Sequence, residues 1–202
     1  MIKVLLVDDE HLIRSAIAGL LGLMDDIEIV GEFGSGEDAV RAASALAPTL
    51  AVVDLQLPGM DGIETCAKLM ESIPGLATII LTSHARPGYL KSALSTGISG
   101  FLPKTTSADD LERAVRSVAA GGRAVDPGLA ADTITAGDSP LTPRETDVLE
   151  LSVDRAPIST IARRARLAEG TVRNYLSSAQ LKLGASNRHE AVDIARAKGW
   201  LG

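Results

Sequence analysis

The first 120 residues alternate between two hydrophobic periods. Unbroken apolar runs such as Val4-Leu5-Leu6-Val7, Leu50-Ala51-Val52-Val53 and Ile79-Ile80-Leu81 are separated by longer stretches where apolar residues recur every three or four positions. A short unbroken run suits a strand covered on both faces, and the three-to-four repeat suits a helix with one buried stripe. The pattern predicts strands at 2–7, 27–32, 50–54, 77–82 and 98–102, and helices at 10–24, 36–47, 61–73, 87–96 and 107–120. Strict strand–helix alternation predicts an α/β fold: a doubly wound, five-stranded parallel sheet. Gly31, Gly34 and Gly36 are spaced G-x-x-G-x-G, which is not the dinucleotide-binding fingerprint, and read as a loop and helix start.

The helical repeat of Leu111, Ala114, Val115 and Val118 stops at Gly121-Gly122. The stretch to Pro140 is rich in Gly, Pro, Asp and Thr and reads as a linker, with Asp126-Pro127 able to cap one short helix through Thr133. Beyond it the period is helical throughout, predicting a small all-α domain of four helices. Thr142-Pro143-Arg144-Glu145 opens the first with Thr as N-cap, Pro at the first helical position and Glu three residues after the cap. The others are expected at 158–165, 169–183 and 187–198. The short link Arg166-Leu167-Ala168 suits a helix-turn-helix, which would leave Arg173, Asn174 and Ser177 outward on its second helix. The expected organisation is a first domain at 1–120, a linker at 121–139 and a helix-turn-helix domain at 140–202.

Charge separates the two halves. Residues 1–138 carry 10 Lys and Arg against 19 Asp and Glu, while residues 139–202 carry 10 against 7. The second half is therefore the candidate for an anionic partner, and Arg and Asn are side chains that read guanine and adenine edges. No stretch approaches the length of a membrane-spanning helix, and the N-terminus begins a strand at once without a signal-peptide pattern. The lone cysteine, Cys66, suits a reducing compartment. A cytoplasmic protein is expected.

The chemistry lies where the strands run out. The first ends at Asp8-Asp9-Glu10, the third at Asp54, the fourth at Thr82 with Ser83 and His84 beyond, and the fifth at Lys104. In open parallel sheets the reactive site lies at the carboxyl ends of the strands. Crowded carboxylates repel one another unless a cation binds, and a hard divalent ion such as Mg²⁺ suits oxygen ligands. A carboxylate nucleophile, a cation site, a hydroxyl and a lysine are the parts that receive a phosphoryl group.

Asp8-Asp9, Asp54, Pro58-Gly59-Met60-Asp61-Gly62, Thr82 and Gly100-Phe101-Leu102-Pro103-Lys104 resemble the receiver domain of bacterial two-component response regulators. The resemblance implies a flavodoxin-like fold, Asp54 as phosphoacceptor, and Mg²⁺ held by Asp8, Asp9, Asp54 and the backbone carbonyl of Gln56. It further implies that Thr82, Lys104 and Phe101 respond to phosphorylation, and that a sensor histidine kinase supplies the phosphoryl group. Leu141-Thr142-Pro143-Arg144-Glu145, Val148-Leu149, Ile161-Ala162, Glu169-Gly170-Thr171-Val172, Lys182-Leu183-Gly184, Asn187-Arg188 and Ala191 resemble the LuxR-type DNA-binding domain of the NarL/FixJ class. This implies a homodimer formed on phosphorylation that binds double-stranded promoter DNA, with RNA polymerase as a further partner. DNA contacts are then expected from Thr171, Arg173, Asn174, Tyr175, Ser177, Lys182 and Arg188. Taken singly, Arg163, Arg164, Arg166 and Lys182 read as surface charges or phosphate contacts rather than base readers. Arg155 and Pro157 replace the usual Gly and Ser before the second helix, and Ser159-Thr160 the usual Lys-Glu. Ala85-Arg86-Pro87-Gly88-Tyr89 and Thr171-Val172-Arg173-Asn174-Tyr175 resemble the DesR-type subgroup.

Two other readings differ in class. A phosphatase or phosphotransferase working through an aspartyl phosphate would commonly carry a second Asp where Gln56 stands, with His84 the nearest alternative acid or base. A regulator switched without phosphorylation would have an incomplete pocket, and this one is complete. For the dimer, helices 107–120 and 10–24 are the first expectation, through a face with Leu111, Val115 and Val118 that would otherwise cover the sheet. The helix after Arg86-Pro87-Gly88 is the rival surface.

Overall fold

Strands β1 (Ile2–Val7), β2 (Ile27–Phe33), β3 (Leu50–Val53), β4 (Ala77–Thr82) and β5 (Gly100–Pro103) form one parallel sheet in the computed structural model, which describes residues 1–83, 85–135, 139–198 and 200–201. Helices α1 (His11–Leu21), α2 (Gly36–Leu46), α3 (Gly62–Ser72), α4 (Pro87–Thr96) and α5 (Ala108–Ala119) connect them. The strand order is β2-β1-β3-β4-β5-β6, where β6 is Ala124–Val125. The sheet therefore has six strands rather than five. Two residues inside a Gly- and Pro-rich stretch are too few to show a period, and β6 exists because Gly100 and Phe101 offer it a parallel ladder. The segment expected as a linker also carries helix α6 (Pro127–Thr135), whose first turn is capped by Asp126 Oδ1 accepting from the Leu129 N–H at 2.8 Å. His84 lies outside the described residues.

The chain divides into two units, Met1–Ala131 and Asp132–Gly202. In the first, each face of the sheet has its own core. Leu5, Val7, Ala51, Val53, Ile80 and Phe101 face one side with Leu69, Tyr89 and Leu90; Val4, Leu6, Leu50, Val52 and Ile79 face the other with Leu21 and Leu111. The alternation follows from the strand period of two. Leu111, Ala114, Val115 and Val118 of α5 all belong to the second core, so that face covers the sheet and is not free for self-association.

The second unit contains α7 (Pro143–Glu150), α8 (Ile158–Ala165), α9 (Glu169–Leu183) and α10 (Arg188–Ala197) around a core of Val148, Leu149, Ile161, Val172, Leu176 and Ala191. Helix α7 opens with the expected capping box between Thr142 and Glu145. Arg155, at the position where a glycine is usual, adopts φ +57°, a left-handed conformation that is strained for a residue bearing Cβ. Arg166 at φ +56° turns the chain between α8 and α9, with the Leu167 N–H donating to the Ala162 carbonyl at 2.9 Å.

Candidate functional site

The sheet's parallel register brings the acidic residues together. Val7 pairs with Val53, and the Asp54 N–H donates to the Val7 carbonyl at 2.7 Å, so Asp8 and Asp54 leave neighbouring strands at one level. Asp8, Asp9 and Asp54 can each offer an oxygen within 4.8 Å of the others. On the other side, Thr82 pairs with Pro103 and its carbonyl accepts from the Lys104 N–H at 2.8 Å. Lys104 Nζ stands 2.7 Å from Asp8 Oδ2, 3.3 Å from Asp54 Oδ2 and 3.2 Å from Glu10 Oε2. Asp8 and Asp54 are only 5% and 6% exposed.

The electrostatics follow from this crowding. Burial pushes the Asp54 carboxyl above its ordinary value; Lys104 pulls it back and the Asp8 charge adds to the rise. Burial alone would lower Lys104, but the Asp8 bond and the Asp54 charge outweigh it and hold the ammonium above its ordinary value. Asp8, Asp9 and Asp54 carry more negative charge than the one lysine balances, and their hard oxygen donors fit a divalent cation.

The loop after β3 is fixed from two sides. A Cβ at Gly62 would stand 2.1 Å from the Asp54 carbonyl oxygen and 2.8 Å from Leu55 Cα, so α3 reaches the end of β3 only through glycine. Glu37 Oε1 on α2 accepts from the Met60 N–H at 3.0 Å. Gln56 is half-buried in this loop. Thr82 is fully buried, and Phe101 is buried in the same core as Tyr89.

In the second unit, Val172, Leu176 and Ala179 hold α9 to the core while Arg173, Asn174 and Ser177 are exposed. Thr171 and Tyr175 are half-buried on its flank. The three cations expected at the DNA each have a partner within the unit. Arg173 Nη2 lies 2.7 Å from Glu169 Oε2, one turn earlier. Lys182 Nζ lies 2.8 Å from Glu145 Oε2. Arg188 donates to the Ala156 carbonyl at 3.0 Å and the Arg155 carbonyl at 3.4 Å, tying α10 to the segment before α8.

Four residues of this machinery are not among the site residues expected from sequence: Glu10 beside Lys104, Arg14 donating to the Asp8 carbonyl, Glu37 on the pocket loop, and Glu145 beneath α9, expected only as a helix cap. The signal for Glu10 is its place in the acidic run, and for Glu145 the capping box. Arg14 and Glu37 look like ordinary helix-surface charges in sequence.

Comparison with known proteins covers both units. The family described as response regulator receiver domain matches residues 4–116, and that of bacterial regulatory proteins, luxR family, matches residues 139–195. The transcriptional regulatory protein DesR of Bacillus subtilis is 38% identical over 200 residues, covering 99% of each chain. The transcriptional regulatory protein UhpA of Escherichia coli is 36% identical over 202 residues, covering 99% of this chain and all of its own. The structure of RcsB from Salmonella enterica bound to a promoter in the presence of a phosphomimetic is 26% identical, covers 96% of this chain and 97% of its own, and has a TM-score of 0.63. The chain thus belongs to the NarL/FixJ class of response regulators, transcription regulators that join a receiver domain to a LuxR-type helix-turn-helix DNA-binding domain.

Proposed function

We propose that Asp54 accepts a phosphoryl group from a sensor histidine kinase, and that this event controls the binding of α9 to promoter DNA. The observation that carries the reading is Lys104 Nζ within 3.3 Å of both Asp8 and Asp54 at the carboxyl ends of adjacent parallel strands. An Asp54 carboxylate oxygen forms the new bond to phosphorus as the bond from phosphorus to the donor's nitrogen or oxygen breaks. Lys104 follows the charge onto the phosphoryl oxygens, and the Thr82 hydroxyl donates to one of them. Mg²⁺, held by Asp8, Asp9, Asp54 and the Gln56 carbonyl, would screen the approach of the two anions. Redirecting Lys104 and Thr82 favours the second of two receiver states, with Phe101 moving beside Thr82.

In this reading the working protein is cytoplasmic, with a receiver at 1–120, a linker at 121–139 and the DNA-binding domain at 140–202. No helix among the described residues is long and apolar enough to cross a membrane. Phosphorylation promotes a homodimer whose two α9 helices enter adjacent half-sites. Thr171, Arg173, Asn174, Tyr175 and Ser177 meet the DNA; Arg173 must then leave Glu169, or the pair must enter the groove together. Arg188 supports the α8 end. Contact with RNA polymerase belongs to the same scheme.

Incubation with acetyl phosphate and Mg²⁺ tests the first step. One phosphoryl group should appear by intact-mass measurement, and none in Asp54→Asn or with a chelator. Label persisting in Asp54→Asn would mean that the acceptor lies elsewhere. Steady turnover of small phosphate esters would favour a phosphotransferase instead.

A further inference from the structure

Glu145 is the most buried carboxylate among the described residues of the second unit, 3% exposed, and it serves three donors. Its Oε2 accepts from the Thr142 N–H at 2.7 Å and from Lys182 Nζ at 2.8 Å; its Oε1 accepts from Ser178 Oγ at 2.6 Å. The first bond is the return half of the capping box that starts α7. The other two reach across to α9, where Ser178 and Lys182 are four residues apart and share one face. Burial opposes ionisation of Glu145, yet the bonds from Lys182, Ser178 and Thr142 outweigh it and keep the carboxyl below its ordinary value.

We propose that Glu145 is a positioning residue for DNA recognition, clamping α9 through Ser178 and Lys182, and that Lys182 serves this clamp rather than a DNA phosphate. The inference rests on the reading that α9 enters the groove. With 3.6 residues per turn, Ser178 and Lys182 lie roughly 100–180° around the helix from Arg173 and Ser177, while Asn174 lies about 40° from Ser178. The clamp therefore leaves Arg173 and Ser177 open. Val172, Leu176 and Ala179 set the distance of α9 from the core, but apolar contacts are non-directional and tolerate rotation and sliding. Two directional bonds to a carboxylate fixed by its own helix start remove both freedoms. Recognition needs that, because a reading group has to sit within about 0.5 Å and 10–20° of its productive geometry. Lys182 also arrives at DNA with its charge already matched by Glu145, so it has little counterion release to contribute.

The test uses the full chain with acetyl phosphate and Mg²⁺. A preferred sequence is selected from random double-stranded DNA. Affinities for that sequence and for the random pool are then measured against salt for wild type, Glu145→Gln, Lys182→Gln, Lys182→Arg and Ser178→Ala. Measurements are made where Trp200 fluorescence reports a folded second unit. In Lys182→Gln the salt slope should match wild type, while the ratio of selected to random affinity falls on the order of tenfold. Lys182→Arg should restore the ratio. Glu145→Gln and Ser178→Ala should lower it in the same sense, and Ser178→Ala carries the test if the charge variants fail to fold. A salt slope reduced by about one with the ratio preserved would make Lys182 a phosphate contact and overturn the proposal. So would ratios unchanged in every variant, or lowered alike in Lys182→Gln and Lys182→Arg. If the wild-type protein selects no sequence, the DNA-binding reading itself fails and the clamp's role in recognition falls with it.

Discussion

At the scale of single residues, two carboxylates are shifted in opposite directions and have opposite consequences. Asp54 is raised, first by burial, so its ionised form is less favourable folded than unfolded. A raised carboxyl contributes most below its unfolded value, near 3.9 for Asp, and opposes folding as pH rises through the folded value. Asp54→Asn should therefore raise the melting temperature of the first unit by a few degrees at neutral pH without divalent ions. Added Mg²⁺ should stabilise wild type more than the variant; calorimetry with and without the ion would expose the reverse order. Glu145 is lowered, so its contribution is present above its unfolded value, near 4.3, and disappears as pH falls through the folded one. Glu145→Gln should cost roughly 1.5–3 kcal/mol at neutral pH, the scale of hydrogen bonds to a charged group, and flatten the acid limb of the second unit's stability. Trp200 is the only tryptophan and packs against that unit's core, so urea melts followed by its fluorescence at stepped pH report the difference.

At the scale of elements, α5 and α1 divide roles that their sequences do not separate. The Leu111–Val118 face of α5 is spent on the sheet. Helix α1 leaves Leu12 at 82% exposure, and just beyond its end Leu23 stands at 80%. With exposed Ala16 and Gly19 between them, these residues follow a helical spacing of four, three and four, which makes an apolar stripe open to a second copy of this chain. Leu12→Arg should leave phosphorylation of Asp54 intact and reduce dimerisation of the phosphorylated protein, read by light scattering. A phosphorylated variant as dimeric as wild type would move the interface elsewhere, first to α4. Helix α9 shows a related division: its period identifies Val172, Leu176 and Ala179 as inward, but period alone does not distinguish a solvated cation from one already paired. Arg173 and Lys182 both proved to have acidic partners, one on its own helix and one on another.

At the scale of the whole chain, the acidic first half and basic second half divide the work between the two units. Residues 139–202 alone should bind double-stranded DNA, with an affinity that falls steeply as salt rises because phosphate contacts release counterions. A fragment without affinity even at low salt, by fluorescence anisotropy, would refute this. The sequence by itself determined the parallel α/β unit, the helical unit after it, and the places of Asp8, Asp9, Asp54, Thr82 and Lys104. It did so because the strands at the centre of the sheet carry apolar runs, and these residues are the polar groups at or just beyond the ends of their strands. Only the tertiary structure decided the rest. Strand β6 forms because β5 presents an open edge, which two residues of sequence do not announce. Glu10, Arg14 and Glu37 become part of the pocket, and Glu145 part of the recognition unit, through contacts with residues distant in the chain or on another element. Periodicity records which side of an element faces inward; which partner a charge meets depends on the register and approach of neighbouring elements, and those are fixed only when the chain packs.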